Sequence, residues 1–170
     1  MKRTRAALSL IAAIVFVAAL IGLFRSEVSW FVWGLIYGNP VKWGNYSVPI
    51  SPDVFVASLP NDRLLVIGSK HKSGAALRVS IVPGANVQAP AQCANVSPNC
   101  RITQESTGGA RIIQIACESE SSPLREIAEH YCVEGTPIRM TYSGPAQARH
   151  AFDASIRALL TQTAMQRNRN

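Results

Sequence analysis

The hydrophobic pattern changes character along the chain. Residues 6–24 read AALSLIAAIVFVAALIGLF, nineteen positions without a charge. At about 1.5 Å per helical residue such a run rises roughly 28 Å, close to the ~30 Å hydrocarbon core of a bilayer, and so predicts one N-terminal transmembrane helix. A second apolar stretch follows, RSEVSWFVWGLIYGN at 25–39. It sets Trp30, Trp33 and Tyr37 at i, i+3 and i+7 on one helical face, and rings of this kind suit a membrane–water interface. The stretch is too short for a second span. Packing into the following domain, or docking on another transmembrane subunit, are the other places this face fits.

From Val41 the period shortens. VKWGNYSVPI, DVFVASL, RLLVIGSK and ALRVSIV are rich in β-branched and aromatic residues and are parted by Pro- and Gly-bearing turns, which predicts strands, with a hairpin about Pro60, Asn61 and Asp62. GANVQAPAQCANVSPNC has no period and reads as an irregular loop. CRITQES, the turn TGG and ARIIQIACES read as a second hairpin, with Ile113, Ile115 and Cys117 on one face and Ile112, Gln114 and Ala116 on the other.

Two helices are predicted to cover this sheet. Ser122 is an N-cap type followed by Pro123; Leu124, Ile127, Ala128 and Tyr131 then fall at helical spacing, and Gly135 suits a stop. TPIRMTYSG alternates Ile138, Met140 and Tyr142 as a half-buried strand does. Gly144 and Pro145 open a longer helix whose stripe is Ala148, Phe152, Ile156, Leu159, Leu160 and Thr163, with His150, Asp153 and Arg157 opposite. Asp153 and Arg157 stand at the spacing of a favourable surface pair.

The expected fold class is therefore α+β: a single N-terminal transmembrane helix followed by an antiparallel β-sheet covered on one face by a short and a long C-terminal helix. The expected organisation is a basic tip and anchor at 1–24, an aromatic interfacial segment and linker at 25–40, an exported domain at 41–165 and a disordered tail at 166–170. Lys2, Arg3 and Arg5 precede the apolar run, so the positive-inside bias holds the N-terminus in the cytoplasm. The expected location is the inner membrane, single-pass, with the C-terminal domain periplasmic or extracytoplasmic. A cleaved signal peptide begins the same way and competes with the anchor. The apolar run is longer than the usual about 7 to 15 residues, and no small-residue cleavage site follows it.

The formal net charge of +7 changes little once dissected. Of 17 basic and 10 acidic residues, four and one lie in 1–39, which leaves 13 and 9, a net +4 without any basic run. That pattern gives no phosphate-tracking surface, so nucleic acid is not an expected partner. Four cysteines, Cys93, Cys100, Cys117 and Cys132, form an even set in a compartment expected to be oxidising, so two disulfides are expected. Sequential pairing, Cys93 with Cys100 and Cys117 with Cys132, is the favoured of three connectivities.

Neither a C-x-x-C pair nor metal-ligand spacing occurs, and no cofactor or metal is expected. G-x-S-x-G, H-E-x-x-H and a glycine-rich phosphate loop are also missing. His150 and Asp153 stand at i, i+3, as a base and its orienting partner could, but on a polar helix face they read first as a solvated pair. No catalytic residue is assigned. The expected function is a membrane-anchored, non-enzymatic domain that binds a protein partner as an accessory or assembly component of an envelope complex. The alternatives are an exported inhibitor or immunity-type protein that neutralises a toxin or hydrolase, and a small periplasmic hydrolase or thiol enzyme. The oligomeric state is not legible.

Overall fold

The computed structural model describes residues 15–17, 32, 34–57, 61, 63–71, 74–84, 87–94, 99–107, 109–118 and 126–169. The chain divides into two compact units, Met1–Ile36 and Tyr37–Asn170. In the first unit, residues 15–17, 32 and 34–36 are helical and exposed. Among the described residues no helix is long and apolar enough to cross a membrane. This overturns the expected single-pass anchor and the inner-membrane location inferred from it. The rest of 6–24, and Trp30 and Trp33 with it, lies outside the described residues.

The second unit is built on strands. β1 (Val41–Trp43) and β2 (Tyr46–Val48) form a two-stranded hairpin, while β3 (Val54–Val56), β4 (Leu64–Ser69), β5 (Ala76–Ile81), β6 (Cys100–Thr107), β7 (Ala110–Glu118), β8 (Glu126–Val133) and β9 (Ile138–Pro145) make one sheet. Every pairing in that sheet is antiparallel, in the order β3-β4-β5-β9-β8-β7-β6. The order records the path of the chain. After the β3-β4-β5 meander it passes through a single helical turn, α1 (Pro90–Cys93), to the far edge, then returns as β6-β7-β8-β9 until β9 closes against β5. A 3-10 segment, Ala146–Phe152, leads into the last helix, α2 (Asp153–Arg167).

The fold is thus mostly β-sheet with one C-terminal helix, and the expected α+β class with two covering helices is corrected. The short helix expected after Ser122 is instead strand β8, paired on both sides by β7 and β9. Its sequence EIAEHYCV carries both periods. Ile127, Ala128 and Tyr131 fit a helix, but Ile127, Glu129, Tyr131 and Val133 alternate with Ala128, His130 and Cys132 as a strand requires. Main-chain ladders on both flanks satisfy nearly every amide and carbonyl of an interior strand, and that outweighs a weak helical preference.

One sheet face is covered by α2 and the β1–β2 hairpin. Leu65, Ile67, Leu77, Val79, Ile138, Met140 and Tyr142 from the sheet pack with Val41, Trp43 and Val48 of the hairpin and with Phe152, Ile156 and Leu159 beneath the helix. Gln162 docks the hairpin to α2 as a main chain would: its Oε1 accepts from Ser47 N and its Nε2 donates to Ser47 O, both at 2.8 Å. The expected stripe of the last helix is buried at Ala148, Phe152, Ile156, Leu159 and Thr163. On the other face a smaller cluster forms under α1, where Val87, Ile113 and Ile115 surround Cys93 and Cys132.

Candidate functional site

The four cysteines form two disulfides, Cys93–Cys132 and Cys100–Cys117. The pairing is nested rather than sequential, and the reason lies in the sheet. Residues 107 and 110 are partners across a two-residue Gly-Gly connection, so the register carries Cys100 directly opposite Cys117. Cys132 projects from β8 to the face under α1, where Cys93 ends the helical turn. That register was implicit in TGG flanked by two alternating runs, but it becomes a pairing only once the turn length is settled.

The Cys100–Cys117 bridge also reveals how β6 faces outward. Its Cα atoms are 4.1 Å apart. Directly opposite residues lie about 4.5 Å apart in a non-hydrogen-bonded antiparallel pair and about 5.5 Å in a hydrogen-bonded one, so Cys100–Cys117 is of the first kind. Alternation then turns the amides and carbonyls of Arg101, Thr103 and Glu105 toward β7, and those of Ile102, Gln104 and Ser106 away from it. Among the described residues β6 pairs with β7 and with no other strand.

Among the described residues this edge lacks the usual guards. β6 has eight residues, no proline, no lysine and a one-to-one register from Cys100 to Thr107 with no bulge. Most of it is exposed, and Ile102 is 43% exposed. The opposite edge differs: β3 is three residues long and follows Pro52 and Asp53, a short strand that blunts further pairing. On the α2 side of the sheet β6 presents Arg101, Thr103 and Glu105. Neither charged side chain has an ion-pair or hydrogen-bond partner among the described residues.

Two strands in from this edge lies the most buried group of charges among the described residues. Glu129 and Tyr131 of β8 meet Arg149 of the 3-10 segment and Asp153 at the start of α2. Arg149 Nε donates to Glu129 Oε2, Nη2 donates to Tyr131 Oη at 2.5 Å, and Nη1 donates to Asp153 Oδ1 at 2.5 Å. Tyr131 donates its hydroxyl proton to Glu129, and Gln114 Nε2 of β7 approaches Tyr131 Oη at 3.5 Å. The guanidinium also lies over the rings of Tyr131 and Tyr142, 5.4 and 5.9 Å from their centroids. Gln114 is in turn the cross-strand partner of Thr103 on β6.

The electrostatics make this group a clasp. Burial, and then the Glu129 hydrogen bond, raise the Tyr131 phenol well above its ordinary value. Burial likewise pushes Tyr142 up to about 12. Burial works to lower Arg149, but the bonds to Glu129 and Tyr131 outweigh it and the net shift is upward. Tyr131 therefore keeps its proton and Arg149 its charge, and the cluster ties the last helical segment to the middle of the sheet.

The other sequence-selected residues sit apart from this region. Asp153 is taken by Arg149 rather than by His150 or Arg157, and His150 is exposed. Tyr37 is half-buried against the main core. His71 meets Asp53 at 3.5 Å on an exposed turn. Among the described residues no three His, Cys, Asp or Glu side chains gather as a metal site would require. A shallow cleft of about 320 Å³ opens between Tyr46, Thr136, Thr163 and Arg167, and it holds no cluster of reactive groups. Sequence reading missed both the β6 edge and the Arg149 clasp. The signal for the edge was the polar alternation Arg101, Thr103, Glu105; the clasp had no local signal, because its members are 20 residues apart.

No protein-family model, no curated protein and no solved structure matches the chain.

Proposed function

We propose that the second unit is a non-enzymatic protein-binding module whose partner adds a strand to β6. The single observation that carries this reading is the eight-residue edge strand, pinned at one end by Cys100–Cys117, with the main-chain groups of Ile102, Gln104 and Ser106 turned outward. Strand addition draws affinity from main-chain hydrogen bonds and specificity from alternate side chains. Here the disulfide holds the template in the paired conformation, so little ordering cost falls on binding. The clasp at Arg149 supports strands β8 and β9 from the α2 side, and among the described residues nothing pairs with the outer side of β6.

The test uses a photocrosslinking residue placed at Ser106 in the full chain, expressed in its native host, with the same residue at Arg78 as control. Arg78 is exposed on β5, away from the edge. The expected result is an adduct of defined mass from position 106 only, lost when Gln104→Pro is added. Proline there removes an outward amide and no β6–β7 hydrogen bond, so the unfolding midpoint should hold. An adduct that survives Gln104→Pro, or that forms equally from position 78, refutes strand addition.

A further inference from the structure

The side chains along β6 specify which strand fits its edge. We infer that β6 pairs antiparallel with β6 of a second copy of this chain, about a twofold axis through Thr103. This rests on the reading of β6 as a strand-addition edge and names the partner.

Outward main-chain groups must face outward ones, so only registers that set Ile102, Gln104 and Ser106 against one another can form a ladder. Side chains of directly opposite residues then share a face. Centring the twofold on Thr103 places Ile102 opposite Gln104, and each such pair exchanges two main-chain hydrogen bonds. On the α2 side it places Arg101 of each copy opposite Glu105 of the other, and Thr103 opposite Thr103. Opposite charges and Thr–Thr pairs are both favourable cross-strand neighbours. Arg101 and Glu105 are exposed and have no partner within their own chain among the described residues, so pairing breaks no existing contact.

The other registers are poorer. Centring on Glu105 sets Glu105 against itself, centring on Gln104 leaves Arg101 opposite Thr107 and Glu105 opposite Thr103, and centring on Ile102 leaves Arg101 opposite Thr103 and carries Glu105 past the strand end to Asn99. The charge pattern therefore selects one register out of the set. The resulting contact is isologous and closes, since each edge is consumed by its twin. It joins the two seven-stranded sheets into one and removes the unguarded edge from solvent.

The same pairing dictates a charge-swap experiment on the full chain, read by sedimentation equilibrium at low salt. Wild type should dimerise. Arg101→Glu alone sets like charges opposite at both ends of the ladder, as does Glu105→Arg alone, and each should weaken the dimer roughly tenfold or more. Mixing those two single variants should restore a heterodimer, because every opposed pair again carries opposite signs. The double variant Arg101→Glu with Glu105→Arg should dimerise like wild type.

A monomeric wild type overturns the inference, as does a dimer indifferent to single swaps, or singly swapped variants that fail to combine. If self-pairing fails while Gln104→Pro still abolishes an adduct whose mass shows a different protein, the partner identity falls and the strand-addition reading stands. If Gln104→Pro abolishes nothing, both fall.

Discussion

Replacing Cys93 and Cys132 together by alanine opens the outer of two nested bridges, and the structure sets the size of the effect. The cysteines are 39 residues apart, and a loop of that length alone corresponds to about 3.9 kcal/mol in the chain-entropy treatment. The inner bridge spans 17 residues and remains closed in the variant, so the path that Cys93–Cys132 closes shortens to about 23 residues and the expected loss to about 3.4 kcal/mol. Cys132 is fully buried, and the void left by its sulfur adds to this figure rather than reducing it. For a folded unit of roughly 130 residues, with an unfolding entropy of about 2.1 cal/mol/K per residue, the midpoint should fall by roughly 12 °C. Calorimetry of the oxidised full chain and variant measures this directly. A loss under about 1 kcal/mol would contradict the nested topology. Trypsin without reductant independently separates the nested from the sequential pairing. Cys93 and Cys100 share the fragment 79–101, Cys117 lies in 112–125 and Cys132 in 126–139. Nested bridges link all three fragments; release of 79–101 alone with an internal bridge would refute the arrangement.

Other substitutions probe the sheet and the clasp. Gly144 has φ +141, and a Cβ there would lie 2.6 Å from Ala75 Cα, so Gly144→Ala should cost about 3 kcal/mol in urea unfolding through backbone strain and forced separation of β5 from β9. Arg149→Met strands Glu129, whose side chain is only 14% exposed, and should cost about 2 kcal/mol, whereas adding Glu129→Gln should recover part of that loss. The imidazole of His130 is held below its usual value by burial. The unfolded chain therefore takes up that proton first: the contribution is complete above pH ~6.5 and is lost as pH falls through the lower folded value. A pH series of unfolding midpoints should show this slope, and His130→Gln should flatten it.

Legibility followed the range of the interactions involved. The strands β4, β5, β7 and β9 and the apolar stripe of α2 were readable because one face of each is buried along its length, so the period appears in consecutive residues. β8 was misread for an identifiable reason. Glu129 occupies an inward position, where a strand pattern calls for an apolar residue, and the helical grouping of Leu124, Ile127, Ala128 and Tyr131 accommodates it better. What makes a carboxylate tolerable there is Arg149, which arrives after the next strand and a turn.

The amino-acid order alone determined that strands dominate the middle of the chain, that an apolar helix closes it and that four cysteines were available to pair. Those properties depend on neighbours within a few residues, where period and turn chemistry act. Tertiary structure decided that 126–133 is an interior strand, that the bridges nest, and that 100–107 is an edge strand among the described residues, with Arg101 and Glu105 on its α2 side. Each of these depends on which distant segment lies alongside, and main-chain ladders and buried charge pairs settle that only when the whole sheet assembles.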